Sequence, residues 1–266
     1  MKKRVLSALI MILIGCPILL KGGKYFYIFM LLLSILSLYE ILNIRESKKE
    51  FPTIMKLFAY LMVIFFSISN YDSISFSYSV DYRVMSLIIF IFLTPMVFFN
   101  DTKKYNINDA LFLVGSTLFI GLSFNLLMII RNYNLFYIIY MLLVTTMTDS
   151  FAYITGSLIG KNKLCPLISP KKTVEGLIGG VIMGVISASY LYVTIINPNY
   201  PLVLLILITT ILSLVGQVGD LAFSCIKRYY GRKDFSNLIP GHGGLLDRFD
   251  SLIFVALAMI LFLGII

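Results

Sequence analysis

Three aspartates in the C-terminal part of the chain have the residue type and spacing of a metal-binding site. Asp247 and Asp250 are three residues apart, so on a helix they share one face. Asp220 lies near the end of a long apolar stretch, and we expect it to approach the other two from a neighbouring helix. Converging carboxylates repel one another, and Mg²⁺ commonly binds one or two carboxylates together with substrate phosphates. The sequence therefore predicts a Mg²⁺ site made of these three aspartates.

Basic residues and glycines surround the three aspartates and favour a polyphosphate ligand. Arginine holds phosphate bidentately, lysine acts as a point charge, and glycine lets backbone N–H groups approach phosphate oxygens. His242 is the only histidine; a lone histidine is usually structural, but its glycine neighbours favour a functional role. An acidic cluster alone would also be consistent with a transporter. The bases and glycines favour phosphoryl or nucleotidyl transfer. The polar residues of this region are Gln217, Gly219, Ser224, Lys227, Arg228, Arg232, Lys233, Asp234, Ser236, Gly241, Gly243, Gly244 and Arg248.

A second polar cluster, residues 169–180, contains two adjacent lysines at a predicted helix start. The N-terminal end of a helix favours anions, so Lys171 and Lys172 suggest an anion shared with the free backbone N–H groups. The alternative is that both lysines face lipid headgroups. Gly176 and Gly180 form a small-xxx-small pair that permits close helix packing. The other polar residues of the cluster are Ser169, Thr173 and Glu175.

A third polar group lies within an apolar stretch, where a central aspartate costs roughly 2.5–3.5 kcal/mol on insertion scales. Asp149 has Thr148 and Ser150 as neighbours and lies some turns before the lysine that ends the stretch. One interpretation is a hydrogen bond between helices. The other is that Asp149 faces a hydrated cavity at the same end of the molecule as the first two clusters.

The composition places these clusters in a membrane protein. The chain has 266 residues, of which 59% are apolar and 13% charged, whereas soluble domains average roughly 45–50% apolar and about 25% charged. Disorder and fibrous repeats are excluded by the apolar content and the modest glycine and proline counts. We therefore predict an all-α polytopic protein forming one membrane domain, 1–266, with N-terminal helices in 1–131 and catalytic helices and cytoplasmic loops in 132–266.

Stretches almost free of charge predict about nine membrane spans, because a span needs roughly 20 mainly apolar residues. With the N-terminus in the cytoplasm and the C-terminus outside, 18 of the 22 Lys and Arg residues fall on the inside and 4 outside. This distribution accounts for the net charge of +9 without a nucleic-acid partner. The first apolar stretch is expected to be a retained helix rather than a signal peptide. The predicted spans are 5–20, 25–39, 57–71, 84–100, 110–130, 132–160, two within 176–219 separated by a break at 197–201, and 251–266.

The segment 224–250, SCIKRYYGRKDFSNLIPGHGGLLDRFD, closely resembles the signature of the phosphatidate cytidylyltransferases, also called CDP-diacylglycerol synthases. The pattern of that family is S-x-x-K-R-x-x-x-x-K-D followed by P-G-H-G-G-x-x-D-R-x-D, and every fixed position is present. QVGD at 217–220, SPKKTVEG at 169–176 and residues 148–153 are also similar to family elements. The resemblance thus covers the C-terminal half, with one departure at Val174, where an aromatic residue is expected.

The resemblance implies a reaction in which CTP and phosphatidate give CDP-diacylglycerol and pyrophosphate. It also implies Mg²⁺ and a homodimer in the inner membrane, surrounded by membrane lipids. The mechanism has room for a second cation, and the distribution of Lys and Arg predicts a site at the cytoplasmic face. Catalytic roles are expected for Asp220, Asp247, Asp250, Lys227 and His242. Substrate-binding roles, not assigned to one substrate each, are expected for Asp149, Ser169, Lys171, Lys172, Thr173, Glu175, Ser224, Arg228, Lys233, Asp234, Gly241, Gly243, Gly244 and Arg248.

Two other classes of protein remain as alternatives. A CTP-dependent lipid kinase of the polyprenol type is also polytopic and also uses CTP, although the full signature argues against it. A transporter with intramembrane acids would explain the aspartates without any nucleotide turnover.

Overall fold

The computed structural model describes residues 2–68, 82–99 and 101–263, which are mainly α-helical. The chain folds as two compact units. Unit 1 comprises Met1–Tyr133 and Asp234–Leu246, and unit 2 comprises Asn134–Lys233 and Asp247–Ile266. The sequence predicts one membrane domain, with N-terminal helices in 1–131 and catalytic helices in 132–266. This division stays a prediction.

Unit 1 is a helical bundle in which the sixth helix packs against the second, third and fourth. The short fifth helix begins at Pro95, where the missing N–H of proline does no harm. Gly22 separates the first two helices with a positive φ of 64°, which a residue with a side chain rarely adopts. The helices are α1 (Lys2–Lys21), α2 (Gly23–Glu46), α3 (Thr53–Ile68), α4 (Tyr82–Leu93), α5 (Pro95–Phe99) and α6 (Ile107–Tyr133).

Buried charges in unit 1 are satisfied within the unit. Asp109, in the first turn of α6, is buried and accepts hydrogen bonds from Arg45 and Lys49. At the other end of α6, the Arg131 guanidinium donates to the backbone carbonyls of Leu19 and Leu20 at 3.0 and 2.9 Å. The last carbonyls of a helix lack intrahelical partners, so Arg131 stabilises the end of α1.

Unit 2 contains a two-stranded antiparallel hairpin and four helices. The elements are α7 (Leu135–Ile159), β1 (Lys163–Cys165), β2 (Ser169–Thr173), α8 (Val174–Leu191), α9 (Leu202–Tyr229) and α10 (Leu246–Phe262), whose first residue belongs to unit 1. A π-helical turn, Tyr192–Ile196, extends α8. Asn134 caps α7 by accepting from the Phe136 N–H, and Thr173 caps α8 by accepting from the Gly176 N–H.

Close packing of α8 on α7 depends on the predicted small residues. A Cβ added at Gly176 would lie 2.6 Å from the Ala152 carbonyl oxygen, and one at Gly180 would lie 2.5 Å from that of Thr148. No real side chain tolerates such distances, so both positions require glycine. The packing role predicted for this pair is therefore confirmed.

The predicted fold class, an all-α polytopic membrane protein, is confirmed. Within the described ranges, six helices are long and apolar enough to cross a membrane: Gly23–Glu46, Tyr82–Phe99, Ile107–Tyr133, Leu135–Ile159, Val174–Ile196 and Leu202–Tyr229. Helices α1 and α3 contain shorter apolar segments, Val5–Lys21 and Thr53–Ser67. The count of nine spans and the sides of the two termini stay predictions, and residues 69–71, 100 and 264–266 of the predicted spans lie outside the described residues.

Two local expectations have different outcomes. The break predicted at 197–201 is confirmed, because α9 begins directly after Pro201. The helix start predicted at Lys171 and Lys172 is wrong, since both lie in strand β2 and α8 begins at Val174. The strand has a physical reason: Pro170 disfavours a helical conformation for the residue before it, and β1 supplies a partner for the extended chain.

Candidate active site

The end of α9 brings a carboxylate beside a lysine of the hairpin. The Asp220 Oδ2 atom lies 2.7 Å from the Lys172 Nζ atom, and these side chains are 28% and 24% exposed. Ser224, one turn further along α9, donates to Asp220 Oδ1 at 3.3 Å. Lys172 Nζ is itself inaccessible to solvent, and its ion pair with Asp220 uses at most one of its three N–H groups. The remaining N–H groups are therefore available to a further acceptor.

A second lysine–aspartate pair joins α9 to the first turn of α10. Lys227 Nζ donates to Asp247 Oδ1 at 2.6 Å, and the two side chains are only 9% and 4% exposed. Buried charges of this kind are stable only when paired, because removal of one partner leaves an uncompensated charge away from water. The pair therefore holds α9 and α10 together at the predicted site.

Electrostatic interactions with two further carboxylates complete this cluster in unit 2. The charge of Asp250, on α10, is close enough to interact with those of Asp220 and Asp149, and Asp149 also interacts with Lys172. Asp149 lines a narrow cavity with residues of α9 and α10, among them Gln217. The neighbouring Thr148 makes a hydrogen bond between helices, because its Oγ1 lies 2.7 Å from Ser213 Oγ of α9. We call the six side chains Asp149, Lys172, Asp220, Lys227, Asp247 and Asp250 the acidic cluster.

The donor set of the acidic cluster fits a divalent cation in charge and hardness. Four aspartates and two lysines leave a formal excess of two negative charges, and carboxylate oxygens are the ligands that Mg²⁺ prefers. Across residues 2–68, 82–99 and 101–263, however, no three His, Cys, Asp or Glu side chains are grouped so as to hold a metal ion. Substrate phosphate oxygens would have to complete the coordination. The three-aspartate Mg²⁺ site therefore stays a prediction.

The hairpin turns the two predicted lysines to different sides. Lys171 is exposed, whereas Lys172 is half-buried and meets Asp220. Ser169 begins the same strand. Glu175 accepts hydrogen bonds from the backbone N–H groups of Lys161 and Asn162. These contacts hold the start of α8 against the end of α7, and the substrate-binding role of Glu175 stays a prediction.

Other predicted bases lie on the surface of unit 2. The Arg228 guanidinium donates to the backbone carbonyls of Ile168 and Arg232 at 3.3 and 2.9 Å. Arg228 therefore links the hairpin to the end of α9. Lys233 and Arg248 are exposed.

The glycine-rich part of the signature, residues 234–246, belongs to unit 1. Asp234 is exposed at its start. Gly241 and Gly243 have φ values of 81° and 83°, in the left-handed region that favours glycine. Between them, the His242 N–H donates to the Ile239 carbonyl, and its Nδ1 lies 2.7 Å from Ser7 Oγ of α1. These contacts give His242 a structural partner, and its catalytic role stays a prediction.

One buried residue of this region was missed from the sequence. Glu40 of α2 is fully buried, and its carboxylate accepts hydrogen bonds from Ser236 and from the backbone N–H groups of Leu245 and Leu246. The predicted second span ended at residue 39, and Glu40 was therefore placed in the loop that follows it. The available signal was a single acid with Leu38 and Ile41 beside it, inside a helix that continues to Glu46.

Comparisons with known proteins agree with the signature. Residues 2–266 match the family described as "Cytidylyltransferase family". The proteins named phosphatidate cytidylyltransferase from Staphylococcus haemolyticus and Staphylococcus saprophyticus are 40% and 39% identical to the chain over 256 residues, which is 96% of each sequence. That of Staphylococcus aureus is 37% identical over the same length and share. The chain therefore belongs to the cytidylyltransferase family, and the resemblance drawn from residues 224–250 is confirmed.

Proposed function

We propose that this chain transfers the cytidylyl group of CTP to phosphatidate, giving CDP-diacylglycerol and pyrophosphate for phospholipid synthesis. The names of its relatives support this activity. The observation that carries the proposal is the acidic cluster itself, in which lysines and aspartates of the hairpin, α7, α9 and α10 meet inside one unit. Such a cluster suits a substrate that has several phosphates and arrives with a divalent cation.

The reaction exchanges one P–O bond for another. A phosphate oxygen of phosphatidate attacks the α-phosphorus of CTP in line and forms the new bond. The bond from the α-phosphorus to the bridging oxygen breaks, and its electron pair leaves with pyrophosphate. No covalent group of the protein is needed, so positioning and charge neutralisation supply the acceleration.

Lys172 and Lys227 have different tasks in this scheme. Lys172 has N–H groups without a hydrogen-bond partner in the described residues, so it is suited to donate to a phosphate oxygen of a substrate. Lys227 donates a hydrogen bond to Asp247 and so holds α10 against α9. Asp220 and Asp250, with Asp247 as the third predicted ligand, would hold Mg²⁺, which would neutralise charge on the nucleotide phosphates.

The membrane setting fits both substrates. Asp149, Asp220 and Lys227 lie on α7 and α9, which are long and apolar enough to cross a bilayer, so the acyl chains of phosphatidate would have access from the side. CTP needs access from water, and the distribution of Lys and Arg supports a site at the cytoplasmic face. The homodimer rests on the family resemblance, and crosslinking in the membrane would test it.

The test is an assay with two labelled nucleotides. Purified protein in detergent is incubated with phosphatidate, Mg²⁺ and CTP labelled in either the α- or the γ-phosphate. We expect α-label in the lipid and γ-label in pyrophosphate. Label from the γ-phosphate in the lipid would instead indicate a lipid kinase, and folded protein that moves neither label into lipid would indicate a transporter.

Two variants with the same chemical change provide the control. Asp220→Asn removes a carboxylate of the acidic cluster and should reduce incorporation of the α-label by orders of magnitude. Asp101→Asn alters an aspartate whose carboxylate accepts from the Lys103 N–H in an exposed turn, and it should leave incorporation unchanged. Equal rates for the two variants would contradict the placement of the active site.

A further inference from the structure

Among the acids in the described part of the chain, Glu40 is distinguished by being fully buried and hydrogen-bonded to the signature segment. Its Oε1 atom accepts from Ser236 Oγ at 2.5 Å and from the Leu245 N–H at 2.7 Å. Its Oε2 atom accepts from the Leu246 N–H at 2.8 Å. The side chain is 0% exposed. A single carboxylate thus binds both ends of the segment 236–246.

The contacts of Glu40 coincide with the start of α10. Leu246 is the first residue of that helix. The first N–H groups of a helix have no intrahelical partner, and negative charge near them is favourable. The Glu40 carboxylate supplies both an acceptor and a charge at this point. It therefore determines where the loop ends and where the helix begins.

Gly244, directly before Leu245, lies against the same Glu40 carboxylate. A Cβ added at Gly244 would lie 2.6 Å from Glu40 Oε1 and 2.8 Å from Oε2. The backbone can approach the carboxylate closely only because this position has no side chain. This explains why the last glycine of the GHGG sequence, Gly244, is needed, although its φ is not in the left-handed region.

We propose that Glu40 is a positioning residue for the transfer reaction. Its carboxylate fixes the backbone immediately before Asp247, and so sets the start of the helical turn that presents Asp247 and Asp250. The proposal rests on the proposed function for the reaction that is affected. It assigns Glu40 no contact with either substrate.

The test compares Glu40→Gln with a buried control from the same unit. In Glu40→Gln an amide NH₂ replaces one carboxylate oxygen and faces a backbone N–H, so at least one of the three hydrogen bonds is lost. Asp109→Asn is the control, because Asp109 is also buried and accepts two charged donors, but from Arg45 and Lys49 rather than from the signature segment. Both variants are purified in detergent as the full chain and compared in thermal unfolding.

Two measurements distinguish positioning from general stability. Hydrogen exchange of peptides covering residues 236–250 should be faster by at least about tenfold in Glu40→Gln, at Leu245 and Leu246, and unchanged in Asp109→Asn. The kcat of cytidylyl transfer should fall about 10- to 100-fold in Glu40→Gln, with KM for CTP within about threefold, because small misplacements of reacting groups reduce the rate by such factors. Asp109→Asn should retain the kcat of the unaltered protein per folded molecule.

Ser236→Ala keeps the proposal testable if Glu40→Gln does not fold. It removes one of the three hydrogen bonds to Glu40, and we expect faster exchange at Leu245 together with a several-fold lower kcat. Unchanged exchange or unchanged kcat in the folded variants would overturn the proposal, as would an equal loss of kcat in Asp109→Asn. Failure of the proposed function would look different, since the unaltered protein would then incorporate no α-label while the exchange difference persisted.

Discussion

Replacing Asp247 by Asn should destabilise the protein strongly as well as inactivate it. The Asp247 carboxylate accepts from Lys227 Nζ at 2.6 Å, and the two side chains are 4% and 9% exposed. The substitution removes the carboxylate to which this buried lysine donates, and the loss of one partner of a buried pair costs about 3–5 kcal/mol. For a chain of this length the melting midpoint should fall by on the order of 10 °C.

The second lysine–aspartate pair offers a matched comparison. Asp220 is 28% exposed, and its partner Lys172 is 24% exposed. This pair is less buried than Lys227–Asp247, and the charge of Asp149 still interacts with Lys172 when Asp220 is replaced, so the loss of Asp220 should cost less. Asp220 also repels Asp149 and Asp250, so Asp220→Asn relieves some repulsion. We therefore expect Asp220→Asn to be near neutral or slightly stabilising while activity is lost, as at other active sites where function opposes stability.

A double variant tests whether the buried Lys227 charge causes the loss of stability in Asp247→Asn. Lys227→Met removes the lysine charge whose hydrogen-bonded carboxylate is lost in Asp247→Asn, so the combined protein should recover most of the lost stability without regaining activity. Thermal unfolding of all four proteins in one detergent gives the comparison, and lipid incorporation of label from CTP gives the activity. A cost below about 1 kcal/mol for Asp247→Asn, or simple addition of the two single effects, would refute the reasoning.

Three further predictions follow from the backbone and the charge distribution. Gly243→Ala introduces a side chain at a φ of 83°, which costs about 1–2 kcal/mol, and should lower turnover measured by label incorporation. Gly180→Ala places a Cβ 2.5 Å from the Thr148 carbonyl oxygen and should lower the melting midpoint, whereas Gly115→Ala, with open space around it, should not. A reporter active only outside the cytoplasm should fail when fused at Lys233 and work when fused at the C-terminus; the reverse pattern would contradict the predicted orientation.

The sequence by itself determined the class of fold and the reaction chemistry. Apolar stretches near 20 residues long are sufficient to indicate membrane helices, because the thickness of the bilayer sets that length. Pro201 indicated where α8 and α9 separate, since proline has no N–H to continue a helix. Residues 224–250 carry the signature within one continuous segment, so its recognition needs no knowledge of contacts.

Only the tertiary structure decided which side chains meet. Glu40 is separated from Ser236 by 196 residues and from Leu245 by 205, and no local pattern records a contact over such a distance. The hairpin was likewise missed, because the extended form of residues 169–173 depends on pairing with β1. That strand turns Lys172 towards Asp220 and leaves Lys171 exposed, a distinction absent from two adjacent letters of the sequence. Residue type set the chemistry of each group, whereas packing between distant segments set its partner.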